Sequence, residues 1–101
     1  MTPIVIDLEW NQPFKGATRE PGLRGEIIQI GAAKIDFDGN VLDTFSETIK
    51  PTYYKWINKD IKNLTRISNE DLNSGIPFSE AIDKFKEWCG EDYVFISWGP
   101  K

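Results

Sequence analysis

The spacing of apolar residues changes once along this chain, and that change limits the folds that are open to it. As far as residue 50, short β-branched runs alternate with turn residues, which is typical of strands. Between residues 78 and 89 the apolar side chains recur at intervals of three and four, as on one buried face of a helix. A last apolar run follows at residues 93–97. The order β-β-β-α-β predicts an α/β fold built on one mixed sheet.

Three strands are expected in the first half of the chain. Residues 3–8 (PIVIDL) are predicted to form a buried strand, and residues 26–36 and 41–50 the next two. The Asp-Gly pair in FDGN, residues 37–40, is a strong hairpin signal, so the second and third strands should be antiparallel. The first strand is expected to pair with the second. The last strand, reached through a helix, is expected to lie parallel to its neighbour.

Helix signals follow from residue 58 onward. Residues 58–64 predict a short helix, and Ser68 with Asp71 has the spacing of a capping box for another. Pro77 and Gly90 mark the two ends of the long helix. The side chains on its predicted buried face, which are expected to pack in the core, are Phe78, Ala81, Ile82, Phe85, Trp88 and Cys89.

The composition indicates a small domain without a membrane segment. The 101 residues suffice for one domain. No apolar run approaches the roughly 20 residues that span a bilayer, and no signal peptide follows Met1, so no membrane association and a cytoplasmic location are expected. Cys89 is the only cysteine, which excludes an internal disulfide and suits a reducing compartment. The chain contains no histidine, which excludes histidine catalysis and histidine-ligated zinc within these residues.

The charge distribution allows two interpretations. The net charge of −4 argues against nucleic-acid binding. Yet residues 50–66 contain five basic residues and one acidic residue, and residues 11–25 contain three and one. The second segment lies entirely within a predicted long loop, residues 10–25, which holds two prolines and no periodic pattern. The basic segments either face a polyanion or are ordinary solvated surface.

Two carboxylates stand at the end of the first predicted strand. Asp7 and Glu9 are separated by one residue, so the period of a strand sends both side chains to the same face. A bound cation would relieve their mutual repulsion, and hard oxygen ligands suit Mg²⁺ or Mn²⁺. Such a pair can bridge two ions roughly 4 Å apart for the hydrolysis of a phosphodiester.

The pair alone does not decide its own role. D-x-E at a strand end is often solvated charge without a function. General acid and base catalysis, as in a glycosidase, is a third interpretation, since retaining enzymes hold two carboxyl groups about 5 Å apart. The central, apolar character of the predicted strand favours a metal, because unpaired carboxylates would be costly there.

The motifs in order resemble those of a known family. IVIDLEW, residues 4–10, resembles the first exonuclease motif of the DEDD (DnaQ-like) superfamily, with Asp7 and Glu9 in its two acidic positions. EIIQIGAAKID resembles the strand that follows in this family. FSETIKP, LTRISNEDL, the F-x-x-A-x-x-x-F-x-x-W helix and FISWGPK continue in the family's order. The resemblance covers almost the whole chain and is closest to the ERI-like and KapD-like branch.

The resemblance implies a ribonuclease H-like fold and 3′→5′ hydrolysis at the 3′ ends of single-stranded RNA or DNA. Asp7 and Glu9 would be two of four acidic ligands for a pair of Mg²⁺ or Mn²⁺ ions. Arg66 stands where members often have glycine, and is either a phosphate contact or a solvated side chain. The residues that the resemblance assigns to substrate binding are Leu8, Trp10 and Asn11 beside the motif, and Leu64, Thr65 and Ile67 around the terminal base.

Aromatic residues near these segments have two interpretations each. Trp10 either stacks on a base or covers the edge of the sheet. Tyr53, Tyr54 and Trp56, with lysines on both sides, either serve a single strand or pack as a connector.

The later motifs of the family are absent from these residues. The second acidic motif normally follows the SWG segment, and the third carries a His or Tyr general base and the last Asp. Residues 1–101 are therefore expected to be the N-terminal portion of a single exonuclease domain, with a sheet incomplete at the C-terminus and no activity alone. The alternative is a non-catalytic regulatory module that binds nucleic acid or a protein. An exposed sheet edge would also allow two copies to pair as a homo-oligomer.

Overall fold

The computed structural model describes residues 1–13 and 25–97. Most of the predicted loop at residues 10–25, with all its basic residues, lies outside the described residues. The elements in chain order are β1 (Thr2–Asn11), β2 (Glu26–Ile35), β3 (Val41–Thr48), α1 (Lys59–Thr65), α2 (Asn69–Asn73), α3 (Phe78–Cys89) and β4 (Tyr93–Ser97). The predicted strands and helices are confirmed, and β1 continues three residues beyond its predicted end.

The four strands form one mixed sheet in the order β3-β2-β1-β4. β2 is antiparallel to both β1 and β3, while β4 is parallel to β1, as predicted for a strand reached through a helix. β1 is thus an inner strand. The β1–β2 register shifts between Glu9 and Trp10, so a bulge falls directly after the second carboxylate.

α3 covers one face of the sheet. Ala81 of α3 is completely buried and packs with Ile30 and Ile49. The ring of Phe85 stacks on Phe95 of β4, with 6.0 Å between the ring centroids. The remaining partly buried side chains in this cluster are Leu8, Ile27, Phe45, Ile76 and Ile82. This cluster is the core between α3 and the sheet.

The predicted buried face of α3 is correct except at its first residue. Ala81 and Cys89 are buried, whereas Phe78 is 46% exposed. Phe78 opens the helix directly after Pro77 and lines a cavity with Trp10 and Tyr53 instead of reaching the core. None of the helices in the described part of the chain is long and apolar enough to cross a membrane.

The capping box predicted for α2 is present. The backbone N–H of Ser68 donates to Oδ2 of Asp71 at 2.9 Å, and the backbone N–H of Asp71 donates to Oγ of Ser68 at 3.1 Å. The hydrogen bond from the Ser68 backbone, and after it an interaction with the Ser68 side chain, hold the pKa of the Asp71 carboxyl below its ordinary value of 3.8. Residues 68 and 71 thereby fix the start of α2.

This lowered pKa predicts a pH-dependent contribution to stability. Since the folded-state pKa lies below the unfolded one, the contribution of Asp71 is complete above the ordinary value and is lost as the pH falls through the lowered value. We expect wild type to have a higher urea midpoint than Asp71→Asn near neutral pH, and the gap to close in acid. Asp83→Asn, at an exposed site on α3, controls for the loss of one charge. A difference in urea midpoint between wild type and Asp71→Asn that does not change with pH would contradict this role of the ionised Asp71.

Candidate active site

Asp7 and Glu9 lie on the face of the sheet opposite α3. Leu8, between them, packs into the cluster of Ile30 and Ala81 under the helix. Because side chains alternate along a strand, its two neighbours point to the other face together. Asp7 is exposed and Glu9 half-buried. The same-face arrangement predicted from D-x-E therefore occurs on an inner strand of the sheet.

Asp7 lies between a glycine of β2 and the end of β4. Gly31 of β2 lies directly opposite Asp7, and it has no side chain to cover the strand surface there. On the other side of β1, the last pair with β4 joins Ile6 to Ser97. The carboxyl end of a parallel strand therefore lies next to Asp7, which is where ligands bind in sheets of this kind.

The donor chemistry of this pair fits a hard divalent cation. Two carboxylates on one open strand face supply oxygen ligands without any nitrogen or sulfur donor, as Mg²⁺ and Mn²⁺ prefer. No group of three or more His, Cys, Asp or Glu residues with metal-binding geometry occurs within residues 1–13 and 25–97. Asp7 and Glu9 stay the two predicted ligands within these residues.

The two residues that flank Glu9 have different environments. Leu8 is half-buried beneath α3, so much of its side chain is used in packing. Trp10 is 43% exposed and borders a cavity of about 300 Å³ whose lining includes Tyr53 and Phe78. Trp10 therefore lines this cavity and keeps part of its ring surface exposed. Its contact with a base, like that of Leu8, stays a prediction.

Asn11 is completely buried at the end of β1. Its Nδ2 donates to the carbonyl oxygens of Tyr54 at 2.8 Å and Trp56 at 3.0 Å. Its Oδ1 accepts the backbone N–H of Asn58 at 2.8 Å. The side-chain amide is thus used within the protein, and the predicted contact of Asn11 with a nucleotide stays a prediction.

The segment predicted to surround the terminal base is divided between surface and core. Leu64 is 80% exposed near the end of α1, whereas Ile67 is 6% exposed and packs with Leu72. The hydroxyl of Thr65 donates to the carbonyl of Ile61 at 2.8 Å and accepts the N–H of Ile67 at 3.2 Å, which closes the helix. Leu64 is the apolar member of this segment that a ligand can reach.

Arg66 has a backbone conformation that favours glycine. Its φ of 64° and ψ of 15° are left-handed, and it is the C-cap of α1. Its backbone N–H donates to the carbonyl of Lys62 at 2.7 Å. A non-glycine residue has a steric cost of roughly 1–2 kcal/mol in this conformation. The geometry thus explains why a glycine suits this position, and the arginine side chain is exposed.

The aromatic residues between positions 53 and 56 are also divided between the core and the surface. Tyr54 is 8% exposed and belongs to the packed connector, while Tyr53 and Trp56 are 57% and 64% exposed. A contact of the exposed Tyr53 and Trp56 with a single strand stays a prediction. The basic side chains of this region are all exposed: Lys50, Lys55, Lys59, Lys62 and Arg66.

The polar residues that hold the connector between β3 and α1 were not predicted from the sequence. Both carboxylate oxygens of Glu26 accept backbone N–H groups, at 2.7 Å from Thr52 and 2.9 Å from Tyr54. Asn58 caps α1 by accepting the N–H of Asp60 at 2.9 Å. An asparagine before a short amphipathic stretch is a recognisable N-cap signal. The role of Glu26 has no signal of this kind, because its partners are 26 to 28 residues away.

Comparison with known families and proteins gives a consistent result. The family model described as Exonuclease (RNase_T) matches residues 4–98. The probable 3′-5′ exonuclease KapD of Bacillus subtilis (strain 168) is 29% identical over 97 residues, which are 95% of this chain and 46% of KapD. The PolC-type DNA polymerase III of Staphylococcus saprophyticus is 33% identical over 72 residues, which are 71% of this chain and 5% of that protein.

A solved structure shares the fold described above. The nuclease domain of 3′hExo, a DEDDh family member solved with bound rAMP, superposes with a TM-score of 0.80 at 18% identity. The match covers 97% of this chain and 52% of that domain. The predicted ribonuclease H-like α/β fold is confirmed, and the chain spans about half the length of these two relatives, KapD and 3′hExo.

Proposed function

The chain belongs to the exonuclease family whose model matches residues 4–98, and we propose that it supplies one half of the metal site of a 3′→5′ exonuclease. The observation that carries this proposal is the placement of Asp7 and Glu9. Both carboxylates lie on one face of an inner strand, beside Gly31 and the carboxyl end of β4. Two carboxylates on one strand face repel each other, and a bound divalent cation would relieve that repulsion.

Asp7 and Glu9 would hold the Mg²⁺ or Mn²⁺ ions. When bound, two such ions activate a water and stabilise the charge on the attacked phosphate and on the leaving oxygen. Asp7 and Glu9 would hold these ions at the end of β1 and offset their positive charge. Further acidic ligands and a general base would come from outside residues 1–101, so we expect residues 1–101 alone to be inactive.

The proposed substrate is the 3′ end of a single-stranded nucleic acid. Leu64, with its exposed side chain, would contact the terminal base, together with Thr65 and Ile67 behind it. Leu8 and Trp10 would border the terminal nucleotide next to the metals, as the family resemblance implies, with the buried Asn11 behind them. The exposed lysines of residues 50–62 would attract the phosphate backbone despite the net charge of −4.

The test is a digestion by the complete protein that contains these residues. A 5′-labelled single-stranded oligonucleotide should shorten stepwise from its 3′ end with Mg²⁺ or Mn²⁺, and stay intact with excess chelator. RNA and DNA versions of one sequence would then define the substrate. The 101 residues alone are expected to give no turnover in the same assay. Shortening that continues at the same rate in chelator would contradict the two-metal proposal.

A second candidate is a regulatory module that binds nucleic acid or a protein without cutting it. The acidic net charge and the presence of only two ligands in the described region favour it. It would be supported if the complete protein bound the oligonucleotide but left it intact with either metal. Pairing of two copies through the outer edge of β4 stays a prediction, as do the cytoplasmic location and the extent of the domain.

A further inference from the structure

The position of α1 in the fold depends on its two ends. α1 has no buried residue. Its one partly buried apolar side chain in the neighbouring core cluster is Ile61, which packs against Ile28, Ile57, Ile67 and Leu72. A helix with so little apolar contact is oriented chiefly by the segments that flank it. Buried Ile57 and Ile67 flank its two ends, and its N-terminal end has a further anchor.

That anchor is a hydrogen-bonded chain from α1 to β1. Oδ1 of Asn58 caps the helix by accepting the N–H of Asp60 at 2.9 Å. The backbone N–H of Asn58 donates to Oδ1 of Asn11 at 2.8 Å, and Nδ2 of Asn58 donates to the carbonyl of Pro13 at 3.2 Å. The N-cap of the helix is therefore tied directly to the end of the strand that carries Asp7 and Glu9.

Asn11 and its strand partner hold the whole connector between residues 52 and 58. Asn11 pairs with Glu26 across β1 and β2. Asn11 binds residues 54, 56 and 58, and Glu26 accepts the N–H groups of residues 52, 53 and 54. Because the Asn11 side chain is completely buried, every bond that it loses leaves a buried polar group without a partner.

We propose that Asn11 is a positioning residue that acts on the substrate through α1. It fixes Leu64, 80% exposed on α1, relative to Glu9, which lies two residues before Asn11 on the same strand. A shift of α1 would move the base contact away from the metal ligands while leaving both carboxylates in place. Asn11 thus sets how strongly the enzyme prefers a 3′ end that carries a base, an inference that rests on the proposed function.

The test compares two oligonucleotides that differ only at the 3′ terminus, one with a normal nucleotide and one with an abasic residue. The complete protein is assayed as wild type, Asn11→Asp, Leu64→Ala and the double variant. Asn11→Asp keeps the shape of the side chain but replaces both donors to Tyr54 and Trp56 with an acceptor. The measured quantity is the ratio of kcat/KM for the normal end to kcat/KM for the abasic end.

Each single variant should lower this ratio by about tenfold, the order expected for one lost apolar contact to a base. The loss should come mainly from a higher KM for the normal end. The double variant should lower the ratio no further than either single variant, because both changes remove the same contact. A role in stability alone would reduce activity on both substrates equally and leave the ratio unchanged.

The control is Asn40→Asp, in the β2–β3 turn, where Nδ2 of Asn40 donates to Asp36 at 3.0 Å. It disturbs a hydrogen bond of the same type far from the connector and should not change the ratio. If Asn11→Asp does not fold, Glu26→Gln, which removes one acceptor for the N–H groups of residues 52–54, should lower the ratio in its place. The inference is wrong if the ratio stays at the wild-type value or if the two single effects multiply in the double variant.

The same data separate the inference from the proposed function. Wild-type protein that shows no metal-dependent shortening of either oligonucleotide would overturn both. Wild-type protein that shortens the normal end with metal, but has an unchanged ratio in Asn11→Asp, would overturn only the role of Asn11.

Discussion

Asp7→Ala in the complete protein is expected to lower the rate of 3′-end shortening by about 10³-fold. The bound ions would contribute several kcal/mol of transition-state stabilisation, and each 1.36 kcal/mol is a factor of about ten in rate. Removing one of the two proposed ligands should abolish most of this contribution. The measurement is a single-turnover digestion of a labelled oligonucleotide with saturating Mg²⁺, and the circular dichroism spectrum should stay that of wild type because Asp7 is exposed.

Two further variants make this result specific. Asp7→Asn keeps the shape of the side chain and removes its charge, so it should be impaired to a similar degree. Asp83→Ala removes the same charge from an exposed position on α3, the helix that covers the other face of the sheet. Its rate of shortening should stay within about twofold of wild type. If Asp7→Ala keeps the wild-type rate, the metal site is elsewhere. If Asp83→Ala is equally slow, net charge and not ligation explains the loss.

The elements of this fold were predictable where a local pattern sets the structure. The capping box of α2 and the glycine C-cap of α3 depend on residues a few positions apart, and both are confirmed. The Asp-Gly turn between β2 and β3 is also local: Gly39 adopts a φ of 89° there, and Oδ1 of Asp36 accepts two backbone N–H groups. The face shared by Asp7 and Glu9 followed from strand period alone.

Long-range contacts were not predictable from the same patterns. Glu26 binds a connector about 26 residues further along the chain, and Asn11 binds one 43 to 47 residues away. A charged or amide side chain at a strand end is ordinarily solvated, so no local rule indicates that Asn11 is buried. Phe78 shows the opposite case, since its spacing fits the buried face of α3 but its position at the helix start exposes it.

The candidate site was likewise predictable only where local patterns set it. Sequence identifies Asp7, Glu9 and the segment around Leu64 separately, but the relation between the two groups is a tertiary property. In the structure that relation depends on Asn58, which caps α1 and binds Asn11. The predicted ligands and the predicted base contacts are therefore joined by residues to which the sequence analysis assigned no such role.

The largest effect on stability is expected from Gly75→Ala. Gly75 lies where the chain passes from α2 to α3 against the end of β3, and Ile49 and Ile76 form a bridge there. A Cβ at residue 75 would lie 2.6 Å from the backbone N of Lys50 and 2.9 Å from the carbonyl oxygen of Thr48. These are backbone atoms that cannot rotate away, so the two segments must separate.

That separation would break the hydrogen bonds that join the segments. The N–H of Lys50 donates to the carbonyl of Ile76 at 2.8 Å, and the N–H of Ile76 donates to the carbonyl of Thr48 at 3.1 Å. Overpacking typically costs about 1–3 kcal/mol and each lost hydrogen bond about 1 kcal/mol more, so we expect Gly75→Ala to lower the free energy of unfolding by about 3 kcal/mol or more. Urea denaturation of the complete protein, followed by the circular dichroism of its helices, measures this loss.

Gly39→Ala is the matched control for the loss of a glycine. A methyl group added at Gly39 would have no other atom within 4 Å, but the φ of this residue is +89°. Gly39→Ala should therefore lower the free energy of unfolding by only roughly 1–2 kcal/mol, the steric cost of a left-handed backbone for a non-glycine residue. Gly75→Ala should be the more destabilised of the two, although the φ of Gly75 is not in the left-handed range. Equal losses at both positions would mean that backbone conformation, and not the approach of β3, requires glycine at residue 75.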